Sequence, residues 1–258
     1  MATKKVETKV KTTKKSKVVK ITPEILFEAG AHFGHVAKRW NPKMEKFLYG
    51  KKGGVHIFDL EKTMNELEKA GKVLSKMASE GKKIVLVGTK RQSRDMVKEE
   101  AIRVGVGYVT ERWLGGTITN WEQIKTRINR LNRLKKSRDA GEFAGYTKKE
   151  RLLIDREIAK LQRFFGGLAD LGGIPDMVVV FDAKKDKIAA KEAKSRGIEV
   201  IGLLDSNANP DLVDYPIPMN DDATTAVELV IKYLVQEIEK GNKKKSKTSV
   251  VKNEGKKK

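Results

Sequence analysis

Three histidines, His32, His35 and His56, are the only imidazoles in a chain of 258 residues that has no cysteine. His32 and His35 are spaced so that a helix would put both on one face, and His56 and Asp205 could then complete a four-ligand metal site. With no thiolate and no dense acidic cluster, packing or hydrogen bonding suits these side chains better, and the sequence predicts no metal site. Asp182 and Asp205 each end a run of apolar residues. Paired carboxylates there could hold a cation or act as acid and base, but each also fits the simpler role of capping the turn or helix that follows. The phosphate-cradling pattern G-x-x-x-x-G-K-[ST] is absent, Gly105 and Gly107 begin a G-x-G-x-x-G that lacks its third glycine, and no Ser-His-Asp or Cys-His set can be assembled. The prediction is no catalytic residue, no cofactor and no small-molecule substrate.

Cations in company with glycines and aromatic rings are better candidates. Gly88-Thr89-Lys90-Arg91 follows an apolar run and could hold a phosphate at a helix N-terminus. That phosphate could belong to a nucleotide or to an RNA backbone, and the lack of any adenine or ribose partner favours RNA. Lys38-Arg39-Trp40-Asn41-Pro42-Lys43 interleaves cations with an indole and an amide. Cations neutralise phosphates and an exposed ring stacks on an unpaired base. Arg112-Trp113-Leu114-Gly115-Gly116-Thr117 repeats the idea, its glycines permitting close backbone approach; either tryptophan could equally be a core anchor. The RNA-contact candidates are Arg39, Trp40, Lys43, Lys90, Arg91 and Arg112, joined by Arg127, Arg130 and Arg133 from the segment described next.

These residues sit on an alternation of strands and helices. Thr22-Pro23 opens a short helix, and Asp59 caps a helix through Leu67 and Leu74. Buried strands are expected at 83–88, 177–181 and 199–204, a short one at 108–110, and an edge strand at 215–218, where two prolines cannot donate to a ladder. Helices are expected from Ser93 to Ile102, from Asp186 to Ser195 and from about Thr225 to Glu239. Continuous Val/Ile/Leu strands separated by helices predict a doubly wound α/β fold with a parallel sheet. One segment, about 119–166, breaks the alternation. Thr119-x-x-Glu122 and Thr147-x-x-Glu150 both fit the capping box. Behind them run the narrow apolar seams Trp121, Ile124, Ile128, Leu131 and Ile154, Ile158, Leu161, Phe165. The pattern predicts an inserted antiparallel helical hairpin, an arm whose remaining surface is free for solvent or RNA.

The charge distribution agrees. The formal net charge is +21, of which residues 1–20 carry +7 and residues 240–258 carry +8. Within the near-neutral body, residues 122–163 hold thirteen basic and six acidic side chains. Such basic segments attract polyanions, with nucleic acid first and an anionic membrane surface second. Both tails lack aromatic residues, which predicts disordered Lys-rich tails at 1–20 and 240–258 around a domain at 21–239. No apolar run approaches the ~20 residues that span a bilayer, and no apolar stretch follows the basic N-terminus as a secretory signal requires.

Seven ordered stretches together resemble one family: HFGHVAKRWNPKM (32–44), GVHIFDLEKT (54–63), VLVGTKRQ (85–92), RWLGGTITN (112–120), GIPDMVVVFD (173–182), VIGLLDSNANPDLVDYPIP (200–218) and NDDA (220–223). The body is similar to bacterial small-subunit ribosomal protein S2. The resemblance implies a flavodoxin-like sheet with a helical hairpin, a cytoplasmic place in the small ribosomal subunit near the head–body junction, and contacts with 16S rRNA. It also implies neighbouring ribosomal proteins, including S1, as partners, and no enzymatic activity. Met219 stands where the family pattern has Gly before NDDA, which questions the geometry of that turn. The competing readings are a nucleotide- or sugar-phosphate-binding α/β enzyme, and a free module that binds polyanions through its tails.

Overall fold

The computed structural model describes residues 20–254, with side chains through Lys245. The Lys-rich residues 1–19 and 255–258 lie outside the described residues. Five parallel strands form the central sheet: β4 (Ile84–Val87), β5 (Gly107–Val109), β6 (Met177–Val180), β7 (Glu199–Leu204) and β8 (Tyr215–Pro218), in the order β5-β4-β6-β7-β8. This is the flavodoxin-like order, which reverses direction between β4 and β6. β8 takes the edge, as its prolines require.

Each strand is buried on both sides, and alternate side chains feed two cores. Ile84, Leu86, Met177, Val179, Ile201 and Leu203 point to one face. That face is covered by α2 (Leu60–Ser79), α3 (Arg91–Val104) and α7 (Thr224–Glu254). Val85, Val87, Val178, Val180, Val200 and Leu204 point to the other, with Ala189, Ala190 and Ala193 of α6 (Lys187–Ser195). α2 and α7 approach closely at glycines. A methyl group on Gly241 would collide with the Ser75 carbonyl and Ala78, and one on Gly71 would press on Tyr233.

The crossover from β5 to β6 is made by α4 (Trp121–Asp139) and α5 (Lys148–Phe165). Ile124, Ile128 and Leu131 of α4 and Ile158, Leu161 and Phe165 of α5 are buried in one apolar cluster that runs into the sheet core. Thr147 and Glu150 form the reciprocal capping box expected of them. The first box does not form. Thr119 gives its N–H and hydroxyl to Glu192 of α6, at 3.3 Å each, so α4 starts after Asn120 with no side-chain cap.

Two expectations are corrected. The stretch holding His32 and His35 is not helical. β1 (Phe33–Val36), β2 (Leu48–Lys52) and β3 (Val55–Phe58) make a small antiparallel sheet in the order β1-β3-β2, behind the short helix α1 (Pro23–Glu28). The β2–β3 turn is Gly53-Gly54, both at positive φ (60° and 80°), a conformation glycine adopts without strain. Second, α7 does not stop at Glu239 but continues through Glu254, so much of the C-terminal segment expected to be disordered is helical backbone. Its physical reasons are local: Gly241 is buried against α2, and Lys240–Glu237 and Lys243–Glu239 ion pairs span the expected boundary. Met219 is fully buried and donates its N–H to the Leu204 carbonyl at 3.0 Å, so the place before Asn220 holds a large apolar side chain in the core.

Candidate nucleic-acid interface

Because the apolar seams of α4 and α5 face each other, their cations are turned outward. Arg127, Arg133, Lys136 and Arg138 are spread along α4, with Arg127, Arg133, Lys136 and Arg138 all exposed. Arg130 is different. It forks the Glu157 carboxylate of α5 at 2.5 and 2.9 Å, and its hydrogen bonds hold that carboxyl below the usual range. Arg163, near the end of α5, does the same to Glu111 at 2.6 and 2.8 Å, and Arg94 of α3 lies 4.0 Å from the same carboxylate. Glu111 therefore ties three elements at the root of the hairpin, and Arg112 beside it is exposed.

Arg39 and Trp40 lie on a short 3-10 turn and its cap, with Lys43 on the next turn. Trp40 is half-buried and stacks on His56 with centroids 4.7 Å apart. Lys43 is exposed and paired with Asp211. Arg91 is exposed in the first turn of α3. Trp113 is 4 % exposed and belongs to the core, so it is an anchor and not a stacking platform.

Lys90 is placed unlike the other cations. At the C-terminal ends of β4 and β6, where doubly wound sheets bind ligands, its Nζ sits 2.7 Å from Asp221, 2.6 Å from Asp222 and 3.8 Å from Asp182. Burial alone would lower the Lys90 pKa, but the hydrogen bonds it donates to Asp221 and Asp222 hold it above the usual value. Burial, then the charges of Asp182 and Asp205, push the Asp221 carboxyl up to about 7. Asp205 accepts the Ser206 N–H at 2.5 Å and lies 2.9 Å from His35 Nδ1; that hydrogen bond raises the His35 pKa. Asp182 accepts the Lys185 N–H at 2.7 Å, a turn cap. Asp186, expected to start α6, instead turns its carboxylate to the Thr89 hydroxyl at 2.9 and 3.0 Å, and burial pushes its pKa up to about 6. At this strand end Lys90 is held among carboxylates, with Lys184, Lys185 and His35 lining the same crevice.

The other two histidines are dispersed. His32 stacks between Phe27 at 4.2 Å and Phe33 at 4.0 Å, and burial lowers its pKa. His56 lies under Trp40, its pKa lowered by burial and by Lys51. Among the described residues no group of three or more His, Asp or Glu side chains is arranged to hold a metal ion, and no helix is long and apolar enough to cross a membrane.

The arrangement is thus an α/β body with a helical insertion whose outer surface is basic, and a strand-end crevice that is acidic. Residues 26–241 match the family model described as Ribosomal protein S2. The chain belongs to the ribosomal protein S2 family. Three relatives carry the name small ribosomal subunit protein uS2. That of Oenococcus oeni is 45% identical over 221 residues, 86% of this chain and 85% of the relative. That of Chlorobaculum tepidum is 46% identical over 215 residues, 83% and 86% of the two chains. That of Coprothermobacter proteolyticus is 42% identical over 235 residues, 91% and 87%. The S2 match starts in α1 and ends in α7, so it takes in both sheets and the helical insertion.

Sequence reasoning missed Glu192, Glu111 and the pair Asp221-Asp222. Each binds a partner far away in the chain: Glu192 to 116–119, Glu111 to Arg163, Asp221 to Lys90. Only the repeated acid in NDDA, beside an otherwise basic set of motifs, hinted at one of them.

Proposed function

We propose that this protein is a structural constituent of the small ribosomal subunit, present in the cytoplasm, that binds 16S rRNA and supports translation without catalysing a reaction. The match of residues 26–241 to the ribosomal S2 family carries this reading. The rRNA contacts are phosphate contacts that position the protein without reading bases. Arg127 and Arg133 make them from the outer face of α4, Arg91 and Arg112 from the root of the insertion. Arg39 adds a cation beside Trp40, whose ring can stack on an unpaired base. Lys43 and Arg130 are shared between carboxylate partners and phosphate, and contribute less. The site lies near the head–body junction, where neighbouring ribosomal proteins, S1 among them, complete the contacts.

Fractionation of cell extract on a sucrose gradient tests the central claim. The protein should sediment with small subunits and reach the top of the gradient only after the subunits are dissociated; a protein found free in intact extract refutes it. Hydroxyl-radical footprinting of 16S rRNA, with and without the protein, tests the finer placement, and the S1 content of subunits lacking the protein tests the partner.

A further inference from the structure

A cavity among the described residues lies at the opposite end of the sheet from Lys90. It has a volume of about 430 Å³, within the ~300–1,000 Å³ typical of ligand sites. It opens at the N-terminal ends of β4 and β5, between the α2–β4 turn, the α3–β5 turn and the end of α7. Its walls differ in chemistry. On one rim stand three lysines. Lys82 and Lys83 come from the turn into β4, and Lys245 comes from α7. Lys245 lies over Gly81, whose φ is +74°, and Lys83 lies over Gly173; a methyl group at either glycine would strike the ammonium end of its lysine. The carboxylate of Asp176 sits 3.7 Å from Lys82, so the rim keeps a positive excess. On the other side are Ile102, 60% exposed, and the half-buried ring of Tyr108. The ring lies against Gly167, where any side chain would collide with it, and its hydroxyl makes no hydrogen bond among the described residues. Gly105, with open space beside it, leaves the floor bare, and Asp170 offers one acceptor.

A cationic rim facing an aromatic wall across a bare floor suits a ligand with an anion at one end and a flat apolar body at the other. In the strand-end crevice that doubly wound proteins use for such ligands, Lys90 is already paired with Asp221 and Asp222, and Asp182 shares the lining with Lys184 and Lys185. We propose that this cavity binds a nucleoside monophosphate unit, its phosphate on Lys82 and Lys245 and its base against Tyr108 and Ile102. The unit is either a free nucleotide or an unpaired nucleotide of an RNA strand. The assignment goes beyond the ribosomal reading and does not depend on the α4–α5 cations.

Titration of the ¹⁵N-labelled full-length protein with adenosine monophosphate, adenosine, inorganic phosphate and a single-stranded trinucleotide tests it by amide shifts. Adenosine monophosphate should shift Gly105, Gly107, Gly166 and Gly167 saturably and bind at least tenfold tighter than adenosine or phosphate. Lys82→Glu with Lys245→Glu should weaken it at least tenfold. Lys148→Glu with Lys149→Glu, an equal charge change on α5, should alter it less than twofold. Tyr108→Leu should lower the preference for adenosine monophosphate over phosphate. A trinucleotide that binds as tightly as the mononucleotide assigns the site to an RNA strand; one that binds more weakly assigns it to a free nucleotide. Shifts that never saturate, that centre on the Lys90 end, that respond equally to both lysine pairs, or that phosphate alone reproduces at equal affinity would overturn the proposal.

Discussion

Glu192 gives the sharpest test of how the helical insertion is held. Its Oε1 accepts the Gly116 N–H at 2.6 Å, and its Oε2 accepts Ile118 N–H at 3.0 Å and Thr119 N–H at 3.3 Å. One carboxylate of α6 thus collects the loop that leads into α4, and Arg196 of the next turn adds a bond to the Thr119 carbonyl at 2.7 Å. Hydrogen bonds to a charged group contribute about 1.5–3 kcal/mol each. The loop is partly exposed, so water recovers some of this when the carboxylate is removed. Counting the two shorter bonds and discounting for water, Glu192→Ala should cost about 2–4 kcal/mol. For a domain of this size that lowers Tm by on the order of 10 °C. Glu192→Gln keeps one acceptor but sets an amide N–H₂ against backbone N–H groups, and should cost about half as much. Urea unfolding followed by circular dichroism measures the loss, and Trp113 and Trp121, at the two ends of the loop region, report it by fluorescence. Trypsin should cut faster after Arg112 in the alanine variant. Stability within about 0.5 kcal/mol of the parent, the usual range for a neutral surface change, with unchanged cutting at Arg112, would refute the reasoning.

Four further outcomes follow from the geometry. Asp186 has a folded pKa of about 6 against 3.8 for the free carboxyl. Its contribution to stability is therefore complete below pH ~4 and is lost as pH rises through ~6. Asp186→Asn lacks that loss, so the stability difference, variant minus parent, should rise between pH 4 and 7 by roughly 1–3 kcal/mol in denaturant titrations. Lys90→Met strands the carboxylates around it and should cost about 2–4 kcal/mol at pH 8 and less at pH 5, where Asp221 is protonated; a variant that lost RNA affinity at full stability would show Lys90 to be a phosphate contact instead. Arg127→Glu with Arg133→Glu should leave unfolding within about 0.5 kcal/mol of the parent yet reduce incorporation into small subunits and flatten the dependence of RNA affinity on salt. Trp113→Ala should cost about 3–5 kcal/mol by opening a core cavity, while Trp40→Ala should cost far less and act on RNA binding.

What was legible in the sequence was whatever short range decides. The strands β4, β6 and β7 announce themselves as apolar runs buried on both sides, and Pro216 and Pro218 mark β8 as an edge. The α4 and α5 seams show because both helices bury one stripe every three or four residues. The small sheet is not among the elements expected from the apolar pattern, although Gly53-Gly54 between two β-rich stretches is a hairpin signal. Partners distant in the chain decided the rest. Thr119 has the right neighbours for a capping box, but Glu192 competes for its hydroxyl and wins with a full charge. Lys90 reads as a phosphate ligand beside Gly88 until Asp221, 131 positions away, is brought to its Nζ. The sequence places the end of the last helix at about Glu239, whereas lysine is a good helix former and Gly241 packs where α7 crosses α2.

The position of α7 bears on how the chain folds as it is made. Ala226, Val227, Val230, Ile231, Leu234, Val235 and Ile238 are at most 1% exposed and join α2 and α3 in the core on one face of the sheet. Among the described core residues they are the last to be synthesised. Until they have cleared the exit tunnel, Leu86, Val179, Ile201 and Leu203 have only α2 and α3 over them, and the nascent chain carries an open apolar surface of the sort that aggregates or recruits chaperones. A premature stop near residue 224 would spare every strand and the whole α4–α5 insertion, yet release a product that cannot close its core. The finished fold is thus reached only once α7 has been made, and a product that lacks it is marked for removal by its own exposed sheet.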